Sequence, residues 1–235
     1  MVHLQSGKNY LGSIVCSRSK LGLAIVTGNP IRSDFLSADK SIARSELQLD
    51  ARPVVFAVGG SLGASTLNRA MQQVLLRNKQ AGYPLQIIHG AGRNGHQAMM
   101  QWLTEQNALP QPPSVRVRDF IDDMPRCMAA ADVVISRCGA MTLSEAAYTA
   151  TPAILIPYPG ATGDHQTKNA MTLAEQKAAV LIPDADLSPE RLLAELDKIL
   201  NSSDKLSAMK ARISDFAIRD TDDRILNALS EFLKS

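Results

Sequence analysis

From Pro53 onward the sequence repeats one unit: a short apolar run, a turn, and a helical stretch. Val54-Val55-Phe56-Ala57-Val58 reads as a strand buried on both faces, followed by a glycine-rich turn over 59–64. A helix over 65–78 then puts Leu67, Met71 and Leu75 on one face. The unit recurs, with strands predicted at 85–89, 115–118, 132–136, 153–156 and 179–182. Helices are predicted at 95–106, 122–131, 140–150, 164–177 and 188–200, the last with Ser188 as N-cap and Pro189 in its first turn. This alternation predicts an α/β fold, a doubly wound parallel sheet with helices on both faces. Ligands on such sheets sit at the carboxyl ends of the strands, near the switch in strand order. Ser61, Ile121, Thr142, Glu145 and the loop before Gln166 all follow predicted strands, so one crevice can gather them.

The most specific stretch runs from Asp132 to Glu145. Val133-Val134-Ile135 is a buried strand, Gly139 supplies a turn, and a helix starts at Ala140 and stops before Pro152. A strand that runs straight into a helix N-terminus concentrates free N–H groups and the positive end of the helix dipole, which favours an anion such as a diphosphate. Thr142 and Ser144 add hydroxyls. Glu145 lies about 5 Å along the helix, where a carboxylate can accept from two vicinal ribose hydroxyls; complementing the helix dipole is its alternative role. Phosphate and ribose together mean a nucleotide. Gly59, Gly60 and Gly63 let backbone approach a ligand and Ser61 offers a hydroxyl, but the pattern is neither GxGxxG nor a P-loop. Tight packing against its own helix explains that turn equally well. Arg32, after the Gly28-Asn29-Pro30 turn, is placed to reach a phosphate or to stand as a surface charge.

Composition narrows the function classes. A net charge of +2 on 235 residues argues against a nucleic-acid binder. Cys16, Cys127 and Cys138 show no CxxC spacing, which fits a reducing compartment and argues against zinc. The histidines are scattered, and no apolar run approaches a membrane span or a signal sequence. Residues 1–23 carry no period and read as a leftover; Lys8, Arg18, Lys20 and Arg32 make this end basic, suited to an anionic membrane surface or to a solvated arm. Ala24-Ile25-Val26 reads as a strand. Beyond 203 the chain reads as purely helical, with Met209, Ile213, Phe216, Ile225, Leu226, Leu229 and Leu233 needing a partner surface.

Five segments taken together resemble a known family. They are Thr27 to Arg32, Gly59 to Ala64, Phe120-Ile121-Asp122-Asp123-Met124, Ser136 to Glu145, and Asp164-His165-Gln166-Thr167-Lys168-Asn169-Ala170. In order and spacing they are similar to the MurG family of bacterial UDP-N-acetylglucosamine transferases, which convert lipid I to lipid II in peptidoglycan synthesis. The resemblance runs from about Ile25 to the C-terminus. It implies a GT-B glycosyltransferase with two Rossmann-like domains, the C-terminal one holding the donor, UDP-GlcNAc. By the same resemblance Glu145 would hold the ribose hydroxyls, while Ala140, Met141, Thr142, Leu143 and Ser144 would contact the diphosphate. Ile121 would meet the uracil, Ser61 the phosphates, Arg32 the donor from the interdomain segment, and Gln166 with Asn169 the sugar. It divides the chain into a remnant at 1–33, a donor-binding domain at 34–217 and a crossing helix at 218–235. Neither cofactor nor metal is expected. The expected partners are lipid I, the inner face of the cytoplasmic membrane as a peripheral site, and a separate N-terminal half.

The departures matter too. No Gly-Thr-Gly-Gly-His-like segment occurs, so the general base is expected in a missing N-terminal domain and no catalytic residue is assigned here. Leu62 stands where the family has Gln, and Cys138 where Ser or Ala is usual. Without that domain, Phe216, Ile225 or Leu229 is expected to form an exposed apolar patch. Two alternatives are a UDP-GlcNAc-binding module without transferase activity, and a UDP-GlcNAc 2-epimerase-like enzyme using Asp164 and His165.

Overall fold

The structure is a computed structural model that describes residues 15–18 and 23–233. Val15–Arg18 (β1) pairs antiparallel with Leu23–Val26 (β2), in a register that sets Val15 opposite Val26. β1 corrects the reading of this stretch as unpatterned: a backbone ladder needs no side-chain period. His3, Lys8 and Lys20 lie outside the described residues. A helix not foreseen, Lys40–Glu46 (α1), follows, with the Asp39 carboxylate accepting from the Ser41 and Ile42 N–H groups at 2.8 and 3.0 Å.

Six strands then form one parallel sheet: Val54–Val58 (β3), Gln86–Gly90 (β4), Val115–Arg118 (β5), Val133–Ser136 (β6), Ala153–Leu155 (β7) and Ala179–Leu181 (β8). Their order is β5-β4-β3-β6-β7-β8. The intervening helices are Ser65–Gln80 (α2), His96–Glu105 (α3), Met124–Ala130 (α4), Ala140–Tyr148 (α5), His165–Glu175 (α6) and Pro189–Leu200 (α7). The doubly wound sheet read from the sequence is therefore observed.

Strand alternation sorts the core into two layers. Val54, Phe56, Val134 and Leu155 face one cluster with Leu143 of α5 and Leu173 of α6. Val55, Ala57, Ile135 and Ile154 face the other, with Met71 of α2, Leu103 of α3 and Leu196 of α7. Each such side chain, fully buried, contributes about 1.5–3 kcal/mol of transfer free energy. Asp132, before β6, secures the amino end of the sheet: it pairs with Lys40 at 2.6 Å and Arg44 at 2.5 Å and accepts from the Val54 N–H at 2.9 Å.

The chain steps outward from β3 to β5 and returns to β6 on the other side of β3. Loops leaving the carboxyl ends of β3 and β6 thus diverge, and a crevice opens between them.

The tail is helical, as the sequence suggests. Ser203–Ser214 (α8) and Thr221–Leu233 (α9) are separate helices with a turn between them. Met209 and Ile213 of α8 are buried in the core, and Phe216 packs against it, which corrects its assignment to an exposed patch. Ile225 is half-buried, whereas Leu226, Leu229 and Leu233 are exposed. The apolar patch lies on α9 alone. Among the described residues no helix is long and apolar enough to cross a membrane.

Candidate functional site

The crevice at the strand-order reversal holds a cleft of about 680 Å³. Seven of the residues singled out in the sequence line it: Gly59, Gly60, Ser61, Gly63, Ile121, Thr142 and Gln166. They reach it from four loops, each leaving the carboxyl end of a different strand.

The N-terminus of α5 opens here without a side-chain cap. Its first intrahelical bond runs from the Leu143 N–H to the Gly139 carbonyl at 3.1 Å, so the amides of Ala140, Met141 and Thr142 have no helical acceptor. Leu143 is different: its amide is used and its side chain is buried, leaving it no free donor for a ligand. A Cβ on Gly139 would meet nothing within 4 Å, so internal packing does not demand glycine there.

The loop before α5 is gripped from both sides. The Gln166 Oε1 accepts from the Cys138 N–H and the Tyr158 N–H, both at 3.0 Å, while the Asn169 Nδ2 donates to the Cys138 carbonyl at 3.2 Å. The amide oxygen of Gln166 is therefore committed, and its NH2 group is what remains for a ligand. Asn169 does not line the cleft; it holds the loop that does. Burial pushes the Cys138 thiol up to about 12, which keeps it protonated and inert.

Arg137 is a cleft residue that sequence reasoning missed. Its guanidinium donates to the Ile156 and Pro157 carbonyls at 3.2 and 3.1 Å and to the Thr66 Oγ1 at 3.0 Å, and it pairs with Asp184. Thr66 in turn donates to Asp184 at 2.7 Å. The ends of β6 and β7 are thus tied to the first turn of α2. A lone cation directly after a buried strand was the available signal. Phe120, with the Arg93 guanidinium 5.3 Å from its ring centroid, and Tyr158 add exposed aromatic faces at the rim.

The glycine turn has two roles. Gly63, at φ +85°, packs so closely on the Ala91 carbonyl that no Cβ fits, which matches the packing role weighed for it. Gly60, at φ +90°, has open space where a Cβ would stand. Ser61 is exposed beside it, and Leu62 is exposed on the rim. α2, like α5, begins here without a side-chain cap. Beneath this turn a fully buried His89 points its Nδ1 at the Ala57 carbonyl (3.2 Å) and its Nε2 at the Asn68 Oδ1 (3.1 Å). Burial lowers its pKa to about 4, so it is a neutral strut at physiological pH.

Three predicted residues do not line the cleft. The Ser144 Oγ accepts from the Asn29 Nδ2 at 2.9 Å, which turns it toward the segment after β2 and away from the cleft. Arg32 is exposed, 5.7 Å above the Phe35 ring. Glu145 is half-buried, and its carboxylate makes no hydrogen bond or ion pair among the described residues. Burial raises its pKa to about 7, against the opposing field of Arg32. Asp164 and His165 do not line the cleft. The His165 Nδ1 donates to the Thr162 carbonyl at 2.8 Å; outside the cleft, this pair is not placed to act there as acid and base. Among the described residues no group of three or more His, Cys, Asp or Glu converges as a metal site.

The strand order, the crevice at its reversal and the uncapped helix at that crevice define a Rossmann-like domain of the GT-B type. Residues 54–225 match the glycosyltransferase family 28 C-terminal domain, and the chain belongs to that family. It is 34% identical over 214 residues to the UDP-N-acetylglucosamine--N-acetylmuramyl-(pentapeptide) pyrophosphoryl-undecaprenol N-acetylglucosamine transferase of Cytophaga hutchinsonii, covering 90% of this chain and 55% of that protein. Identity to the protein of the same name from Shewanella loihica is 38% over 206 residues, covering 87% and 54%. The chain spans about half the length of the curated relatives it matches. Among solved structures, Acinetobacter baumannii MurG superposes with a TM-score of 0.65 at 28% identity, over 84% of this chain and 55% of that one. A UDP-N-acetylglucosamine 2-epimerase from Listeria monocytogenes, described as putative, gives 0.60 at 13% identity over 89% and 51%, a likeness of fold alone.

Proposed function

We propose that this chain is the donor-binding half of a transferase that moves N-acetylglucosamine from UDP-GlcNAc to lipid I, giving lipid II at the inner face of the cytoplasmic membrane. The observation that carries the reading is the uncapped N-terminus of α5 at the strand-order reversal, with the unpartnered carboxylate of Glu145 one turn further on. The free amides of Ala140 to Thr142 suit a diphosphate, and the carboxylate suits a ribose diol. Ser61 and the Gln166 NH2 group face the same cleft as donors for phosphate and sugar hydroxyls, and the Ile121 backbone borders it where the base would lie. Asn169 acts through Cys138 in this reading, and Arg32 approaches the donor from the linker side.

In the reaction the acceptor hydroxyl displaces UDP at the anomeric carbon with inversion. Charge grows on the departing diphosphate, and the N-termini of α5 and α2 are fixed in place to meet it without reorganising. The general base and the acceptor site belong to a separate domain in this reading.

Calorimetric titration of the chain with UDP-GlcNAc, beside Glu145→Ala, tests the donor half. The expected result is binding by the wild type, weakened at least ~10-fold in a folded variant, as for loss of hydrogen bonds to a charged group. A folded wild type that takes up no UDP-GlcNAc overturns the reading. The amide NH2 of Gln166, the bare Gly139 and the exposed Ser61 would then need another ligand.

A further inference from the structure

Ser136 closes β6 at the floor of the cleft. It is 1% exposed, and among the described residues its hydroxyl is the one buried side-chain polar atom without a hydrogen-bond partner. An orphaned buried hydroxyl destabilises the fold. The preceding strand positions, Val133, Val134 and Ile135, avoid that cost with apolar side chains.

The polar groups next to this hydroxyl along the chain are already committed. The Ser136 carbonyl accepts from the Ile156 N–H at 2.9 Å. The Arg137 guanidinium is spent on two carbonyls, Thr66 and Asp184, and the Cys138 backbone on Gln166 and Asn169. The cleft that Ser136 lines is the open side from which a ligand can reach it. Ser136 stands opposite Val58, the last residue before the glycine turn, and three residues before Gly139. It therefore lies between the uncapped N-termini of α2 and α5. The group both termini favour is an anion, and the reversal in strand order is where a diphosphate sits on such sheets.

We infer that Ser136 is a ligand-binding residue whose Oγ–H donates to a phosphate oxygen of the nucleotide, on the side facing the sheet. The inference rests on the nucleotide reading above. It predicts that the hydroxyl senses phosphate and is indifferent to base and ribose.

The test is titration of wild type, Ser136→Ala and Ser136→Cys with uridine, UMP and UDP, alongside thermal unfolding of each protein. Ser136→Ala should unfold at the wild-type temperature or above, because its removal orphans no partner. Its affinity for uridine should equal wild type, while UDP should weaken about 10-fold or more, as for a hydrogen bond to a charged group. Ser136→Cys, near-isosteric with a weak S–H donor, should fall between. UMP tells which phosphate is met: a loss equal to that for UDP assigns the one attached to ribose, and a loss for UDP alone assigns the outer one. Wild-type UDP affinity in Ser136→Ala overturns the inference and leaves the nucleotide reading standing. So does an equal loss for uridine and UDP. A wild type that binds none of the three overturns both.

Discussion

Glu145 shows how a residue suited to a ligand opposes stability. Its carboxyl is held half-buried with no partner among the described residues, and burial lifts its pKa from 4.5 to about 7. Between those values the folded state binds more protons than the unfolded chain, so this group makes stability fall as pH rises from about 4.5 to 7. Glu145→Gln should be more stable than wild type at pH 8, by roughly 1–2 kcal/mol after discounting for partial exposure, and indistinguishable from it at pH 4. Denaturant unfolding at the two pH values measures this. Equal stability at pH 8 would mean that the carboxylate has a partner or ready access to water. A nucleotide diol would supply what the fold withholds, since it stabilises the ionised form; donor affinity should accordingly rise with pH across the same window.

At the scale of elements, the position of α5 depends on α6. Gln166 and Asn169, three residues apart on α6, take hold of the N–H and C=O of Cys138. Gln166→Ala removes the acceptor for two amides, those of Cys138 and Tyr158, and frees the loop that sets the helix N-terminus. The expected outcome is faster amide hydrogen exchange at Cys138 and Tyr158, with exchange in the β3 and β4 core unchanged. Exchange that stays at wild-type rates at Cys138 would show that packing alone holds the loop. Gln166 was legible in the sequence as a sugar contact by resemblance, but this backbone grip was not. It spans 28 positions of the chain for Cys138, and no local pattern encodes such a pairing. Arg137 escaped notice for the same reason, because its acceptors come from β7, α2 and the loop after β8.

At the scale of the whole molecule, α9 carries a stripe that nothing in the described residues covers. Leu226, Leu229 and Leu233 are 61%, 45% and 83% exposed, at spacings of three and four that share a helix face. Apolar stripes of this kind drive association. Sedimentation velocity should show concentration-dependent self-association of the chain, reduced by Leu226→Lys with Leu229→Lys. A wild type that stays monomeric as concentration rises would count against it. The break before α9 places Phe216 against the core, so the stripe is narrower than the sequence suggested.

By itself the sequence determined the alternation of strand and helix, the parallel sheet, and the stretch from Ser136 to Glu145 where strand turns into helix. Those follow from local chemistry: β-branched runs, glycine turns and helix periodicity act over a few residues, and their signals are readable in one dimension. Only the tertiary structure decided which donors and acceptors remain free. It assigned Ser144 to Asn29, Asn169 to Cys138 and Gly63 to Ala91, and it left Ser136 and Glu145 without partners among the described residues. A hydrogen bond satisfied or missing is a fact about residues brought together from distant parts of the chain. The side chains left unsatisfied at the strand-order reversal are the ones a ligand would complete.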